Sequence, residues 1–379
     1  MPEDSPARMR RSPLVEGNRL WHINYRNEVE CLDLGPLQRR AGDPKVLWSL
    51  DLRKKYGVEP AFPWCFAMAG LGPSVVGYKD WLYIVTANGV DENDGRLHAP
   101  EAPSLLCLEK ATGKLVWKDN SPGKNILQYQ MSTPLIMEVK GRAQVIVGQG
   151  DGWLRSFDAK TGALIWKCDL NRKDAEFHYG RQNNDRNYIV ATPVAYDGRM
   201  YVATGQDNQN PGYGCLFCVD PTREGDVSRE LEAEPGKGKR NANSAVVWST
   251  REAKAPTEHK SLAGRGYLFG NTVCTCAIHD GLVYAVETDG YFHCFDAKTG
   301  EHLWVHDARA QIQTSPLCVD GKVYVADEDG EILIFACGVQ KKLLATIDAG
   351  QQTRANPIFA NGTLHITTDQ TLFAIREKK

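Results

Sequence analysis

Phe295–Trp304 reads FDAKTGEHLW, and the same ten-residue phrase returns as FDAKTGALIW at Phe157–Trp166 and as LEKATGKLVW at Leu108–Trp117. Each copy is a short apolar strand ending in an acid, a turn closed by Thr-Gly, and a second apolar strand ending in Trp. The acid can accept hydrogen bonds from the N–H groups of its own turn, and Gly supplies the positive φ that a three- to five-residue hairpin loop demands. A β-hairpin recurring along a chain predicts a propeller, a solenoid or another repeat array.

Working outward, each copy is preceded by a Ser/Thr-Pro-apolar strand, a turn built on Asp-Gly and a strand of aromatic and β-branched residues. The complete unit is clearest over 314–344, where SPLCV, KVYVA, EILIF and KLLAT are separated by turns at Asp320-Gly321, Asp327–Gly330 and Gly338. Four antiparallel strands joined by hairpins and repeated around an axis are the blades of a β-propeller. Seven units fit the chain: 12–50, 72–118, 132–167, 191–248, 272–305, 314–347 and 356–376, the last with only three strands. Insertions fall at 88–104 and 221–245, the second charged and read as a mobile surface loop. The expectation is an all-β chain with one propeller over 12–377. Residues 1–11, MPEDSPARMRR, are polar and Pro-rich, expected to be poorly ordered, and make a poor closing strand. The ring is therefore either seven-bladed with a frayed seam or an eight-bladed ring whose first blade lies upstream.

Composition narrows the partners. Across 379 residues, 45 Lys and Arg stand against 47 Asp and Glu, a net charge of -2, which gives no electrostatic drive toward nucleic acid. No apolar run reaches the roughly 18 residues of a membrane span, and the first residues carry no apolar signal stretch. A monomer is expected. Of the 11 Cys, Cys31, Cys107, Cys218 and Cys294 each stand two residues before the repeat acid, a slot that Ser156 and Ile334 fill elsewhere. Equivalent positions in neighbouring sheets lie about 10 Å apart, too far for a disulfide, so these read as packing thiols. A strand turns Cys215 and Cys218 to opposite faces. Cys274 and Cys276 would share a strand face and are the one pair left for redox chemistry.

The Asp-x-x-Thr-Gly-x-x-x-Trp pattern of Asp158–Trp166 and Asp296–Trp304 resembles the pyrroloquinoline-quinone (PQQ)-like propeller repeat, shared by quinoprotein dehydrogenases and BamB-type outer-membrane assembly lipoproteins. The resemblance implies that the outer-strand Trp docks between blades, a role falling to Trp48, Trp117, Trp166, Trp248 and Trp304, with Leu344 replacing it in the sixth unit; Asp158, Asp296, Gly113, Gly162 and Gly300 belong to the turns. Longer stretches such as NGVDENDGRLHAPEAPS (88–104) and VDPTREGDVS (219–228) resemble a bacterial subgroup associated with planctomycete-type genomes, in which a further blade and an export signal usually precede this point. That implies a cell-envelope location.

A quinoprotein needs a Ca²⁺ site of carboxylate and carbonyl oxygens, a catalytic carboxylate base and planar groups against the quinone. The adjacent Cys-Cys pair common in those dehydrogenases is missing here, and most acids sit in repeat turns. Side chains ahead of each first strand are expected to line the funnel: Trp64 and Phe66; Gln128, Tyr129 and Gln130; His178, Arg181, Asn183 and Arg186; Arg309, Gln311 and Gln313; Gln351, Gln352 and Arg354. Amides, aromatics and Arg suit a polar ligand or peptide. His22, His293 and His365 read as strand histidines, and no metal spacing or nucleophile–base pattern appears. The sequence reading is a non-catalytic scaffold for a protein partner or small polar ligand, with no cofactor; the alternative is a PQQ- and Ca²⁺-dependent alcohol or sugar dehydrogenase.

Overall fold

A computed structural model describes residues 11–60, 72–180, 184–206, 212–254, 262 and 264–376. It contains seven antiparallel blade sheets in chain order, spanning 14–51, 76–119, 135–169, 194–249, 277–307, 317–348 and 358–375. We number them blades one to seven. The first six have four strands in chain order from the innermost outward, consecutive except in blade four, where an insertion precedes the outermost, and the seventh has three. Trp64, Phe66, Arg181 and Asn183 lie outside the described residues.

Alternation within each strand gives each blade two apolar faces, which is why the core is a series of wedges rather than one mass. Six apolar clusters fill the spaces between blades one and two, two and three, and so on to six and seven. Among the described residues no such cluster joins blade seven to blade one. Ile358, Phe359, Leu372, Phe373 and Ile375 of blade seven are exposed. Cys31, Cys107, Cys218 and Cys294 are buried in four of these wedges, one in each.

The repeat phrase builds the wedge directly. Asp296 Oδ1 accepts from Thr299 N at 2.7 Å and from its hydroxyl at 2.8 Å, closing the turn, and Asp158 does the same with Thr161. Gly300 follows at φ +76°, and a Cβ there would lie 2.5 Å from the ring of Trp248 in the preceding blade. Gly162 and Gly113 lie in the same way beneath Trp117 and Trp48. Each Trp then donates its indole N–H to a main-chain carbonyl just past the next blade's acid: Trp48 to Lys110, Trp117 to Ala159, Trp248 to Ala297 at 2.9 to 3.1 Å. Trp304 reaches Gly338 O at 3.1 Å. An aromatic on each second strand joins it, because Trp21, Tyr83 and Tyr201 donate to those same three carbonyls at 3.0 Å.

Trp166 departs from the pattern and bonds Gln144 Oε1 within its own blade. The reason is the insertion at 221–245, which replaces blade four's Thr-Gly turn. The expectation of a loop is corrected: Gly225–Asp226 pairs in parallel with Trp166–Lys167 as a fifth strand of blade three, and Glu230–Glu234 with Lys237–Arg240 forms an exposed hairpin. A second correction concerns blade six. Its bulge sets Ala345 opposite Ile334, as Trp304 stands opposite Cys294, so Ala345 and not Leu344 occupies the Trp position.

Trp304→Ala should destabilise the chain by about 3 kcal/mol in urea unfolding, since it empties a buried ring site. Burial pushes the thiols of Cys107, Cys274, Cys276 and Cys294 up to about 12, so iodoacetamide at about pH 8 should leave these four unlabelled until the chain is unfolded, as read by peptide mass spectrometry. The Thr299 N–H holds Asp296 below the ordinary carboxylate range; Asp158 is also held low, by Arg142 and Thr161 against its partial burial. A lowered folded value contributes stability that is present above the unfolded value of about 3.9 and lost as pH falls through the folded one. Asp158→Asn with Asp296→Asn should therefore flatten the acid limb of stability below about pH 4.

Candidate functional site

Every blade carries a hydroxyl or amide side chain two residues ahead of its innermost strand, and these groups join successive blades around the axis at five places. Ser12 N donates to Ser74 Oγ at 3.2 Å, and Ser74 N to Thr133 Oγ1 at 3.0 Å. Thr192 N donates to Thr275 Oγ1, Thr275 N to Ser315 Oγ, and Ser315 N to Asn356 Oδ1, at 3.0, 3.0 and 2.7 Å. They surround an axial cavity of about 680 Å³. Two residues earlier in their repeats, Met131, Val190, Val273, Gln313 and Arg354 complete the wall, with Arg11 beside Gly72 and Asp369 from blade seven. Burial lowers Arg11 to about 10, so it stays charged at neutral pH.

Of the side chains expected at the funnel, Gln313 and Arg354 line this cavity. Arg354 Nε bonds Glu328 Oε1 at 3.0 Å, which fixes its guanidinium at the wall. The others are held by neighbouring loops. Gln130 Nε2 donates to Asn88 O at 2.9 Å, and Gln128 accepts from Tyr188 OH through its side chain and from Val90 N through its carbonyl. Tyr129 is buried, packed edge-on against Tyr188. Arg186 is spent on Asp151 O and Asp169 Oδ1. His178 is exposed beside Glu176, Gln311 is exposed, and Gln352 accepts from Asp369 N through its carbonyl.

Two polar clusters on the same face are not evident from the repeat. In blade three, Arg155 pairs with Asp151 at 2.6 Å and Lys173 with Asp169 at 2.9 Å, both pairs buried, with both cations over the Trp153 ring. In blade five, Glu287 is fully buried between Arg265 and His293, and His293 touches His302 at 3.2 Å. Arg265 lies between the rings of Tyr267 and Tyr291. Burial and the nearby Glu287 raise Asp289. One signal was available: Asp151, Glu287 and Asp327 all stand at the second-to-third-strand turn, a repeat position distinct from the Thr-Gly acid.

The expected redox pair is also revised. Cys274 and Cys276 precede the innermost strand of blade five, and they pack into different wedges as free, buried thiols. Cys215 and Cys218 likewise face different wedges.

A quinone with Ca²⁺ would need several convergent carboxylates and a planar stacking group. The described cavity wall supplies hydroxyls, aliphatics, one amide pair, two Arg and the single carboxylate Asp369, and no aromatic ring. The one group of acids and His close enough to share an ion among the described residues, Asp91, Asp94 and His98, is in the 88–104 insertion and not in that wall. The described residues of this wall do not fit that pair of cofactors. No helix among the described residues is long and apolar enough to cross a membrane.

The solved structure of BamB from Moraxella catarrhalis superposes with a TM-score of 0.59 at 17% identity, covering 94% of this chain and 81% of that one, which establishes the shared fold. Quinoprotein ethanol dehydrogenase of Pseudomonas putida is 27% identical over 164 residues, 42% of this chain and 21% of that protein. Lupanine 17-hydroxylase [cytochrome c] of a Pseudomonas species is 23% identical over 339 residues, 76% of this chain. The chain spans less than half the length of these relatives, 21% and 46%. The profile of the family described as outer membrane protein assembly factor BamB matches residues 37–178, 90–238 and 237–336, so the chain belongs to this family of PQQ-repeat propellers.

Proposed function

We propose that this propeller is a non-catalytic scaffold that holds a polar ligand, or a polar segment of a protein partner, at the axial cavity. The observation that carries the reading is the chemistry of the wall: hydroxyls and amides from successive blades, with Gln313, Arg354 and Arg11, and one carboxylate. Such a wall recognises hydrogen-bonding and anionic groups. Among the described residues it offers neither the oxygen set of a Ca²⁺ site nor an unpaired carboxylate cluster for proton abstraction. The family's assembly-factor description agrees with a partner-binding role.

The second reading, a PQQ-dependent oxidoreductase, is favoured by the similarity to quinoprotein ethanol dehydrogenase and lupanine 17-hydroxylase. The two separate in one experiment. The purified chain is incubated with PQQ and Ca²⁺, freed of unbound cofactor, and assayed for quinone absorbance and for alcohol- or sugar-dependent dye reduction. The scaffold reading expects no retained quinone and dye reduction at the buffer rate; stoichiometric quinone with substrate-dependent turnover overturns it.

A further inference from the structure

The insertion of blade four shows what covers an outer blade edge in this protein. Gly225 and Asp226 pair in parallel with Trp166 and Lys167, Val227 N donates to Lys167 O at 2.8 Å, and Asp169 N donates to Ser228 Oγ at 2.8 Å. Val227 is fully buried, in the cluster that contains Ile165 and Cys168. Its carbonyl accepts from the Cys168 thiol. Ile165 is the bulge residue, skipped in the register between Trp166 and Leu164. The groove on blade three is therefore formed by the bulge residue and the residue three positions on, and one valine fills it.

The register transfers this site to every outer strand. The bulge residue is Leu47, Val116, Val247, Leu303 and Leu344 in blades one, two, four, five and six, and the residue three on is Leu50, Asp119, Thr250, His306 and Ile347. Polar groups close the groove in blades two, four and five, and Leu50 of blade one is partly buried in its own wedge. Blade six alone presents two exposed aliphatics, Leu344 at 44% and Ile347 at 47%, where the covered blade has Ile165 at 7% and Cys168 at 0%. The groups equivalent to Lys167 O and Asp169 N are Thr346 O and Asp348 N, turned outward by the same register.

We propose that the outer edge of blade six, 344–348, is a strand-addition site for an extended segment of a partner protein. The segment runs parallel to it, with a small residue opposite Ala345, a β-branched aliphatic between Leu344 and Ile347, and a hydroxyl residue next. Main-chain bonds to the edge supply affinity and the aliphatic pocket supplies selectivity. This surface is separate from the axial cavity and does not depend on the reading of that cavity.

The probe is a fluorescein-labelled peptide, REGDVSR, the 223–229 sequence of this chain, titrated into the full chain by anisotropy. Saturable binding is expected, weakened about tenfold or more by Ile347→Lys or Leu344→Lys, unchanged by Val247→Lys on blade four, and lost when the peptide carries Val227→Asp. All three protein positions are exposed, and the peptide variant leaves the protein untouched, so misfolding does not mimic the result. Absence of saturation up to about 1 mM, or binding insensitive to both blade-six variants, overturns the proposal. Concentration-dependent dimerisation abolished by Ile347→Lys in sedimentation would assign the edge to a second copy and overturn it as well.

Discussion

The clamping of a turn carbonyl by two aromatic donors from the preceding blade, seen at Lys110, Ala159 and Ala297, is the interaction on which the remaining geometry rests. At Ala159, Tyr83 and Trp117 converge from blade two; at Ala297, Tyr201 and Trp248 converge from blade four. A buried carbonyl left unpaired costs about 1–3 kcal/mol, and here each of its two acceptor sites is met by a ring that also fills the wedge. The donors fix the blade's distance and tilt together. Gly162 and Gly300 make the approach feasible, because any side chain there would occupy the space of the Trp ring.

Where the clamp is replaced, the protein shows what the replacement needs. Between blades three and four, Ile146 stands at the second-strand aromatic position and Trp166 turns to Gln144 in its own blade. The insertion supplies the lost contacts with Val227 and Ala245, both buried in that wedge. Its short strand also covers an edge that would otherwise expose Ile165 and backbone groups. Blade six has Ala345 in place of the Trp, yet no described segment lies over its outer strand.

The blade architecture was legible because the hairpin phrase carries its own turn chemistry: Asp for the N–H groups, Gly for positive φ, Trp for the next blade. Ala345 was misplaced as Leu344 because a bulge adds one residue to one strand and shifts every count beyond it. The strand at Gly225–Asp226 is two residues long and carries no alternation from which to infer it. Gln313 and Arg354 line the cavity, whereas the placing of the other described funnel side chains follows from contacts outside the repeat. Whether Arg186 reaches a ligand or Asp169 depends on where two non-repeating loops meet, and no period in the sequence encodes that meeting.

The clamps also share a direction: donors always stand on the earlier blade and the acceptor on the later one. Such an interface is heterologous, joining front to back as subunits do in a ring or filament. The chain is in this sense a polar polymer whose monomers happen to be covalently linked. A whole repeat, with its donor pair and acceptor turn, is then the exchangeable unit. For blade two, clamped on both sides, duplication would set a donor pair against a carbonyl at the new joint, whereas a cut inside a repeat strands a donor without its carbonyl.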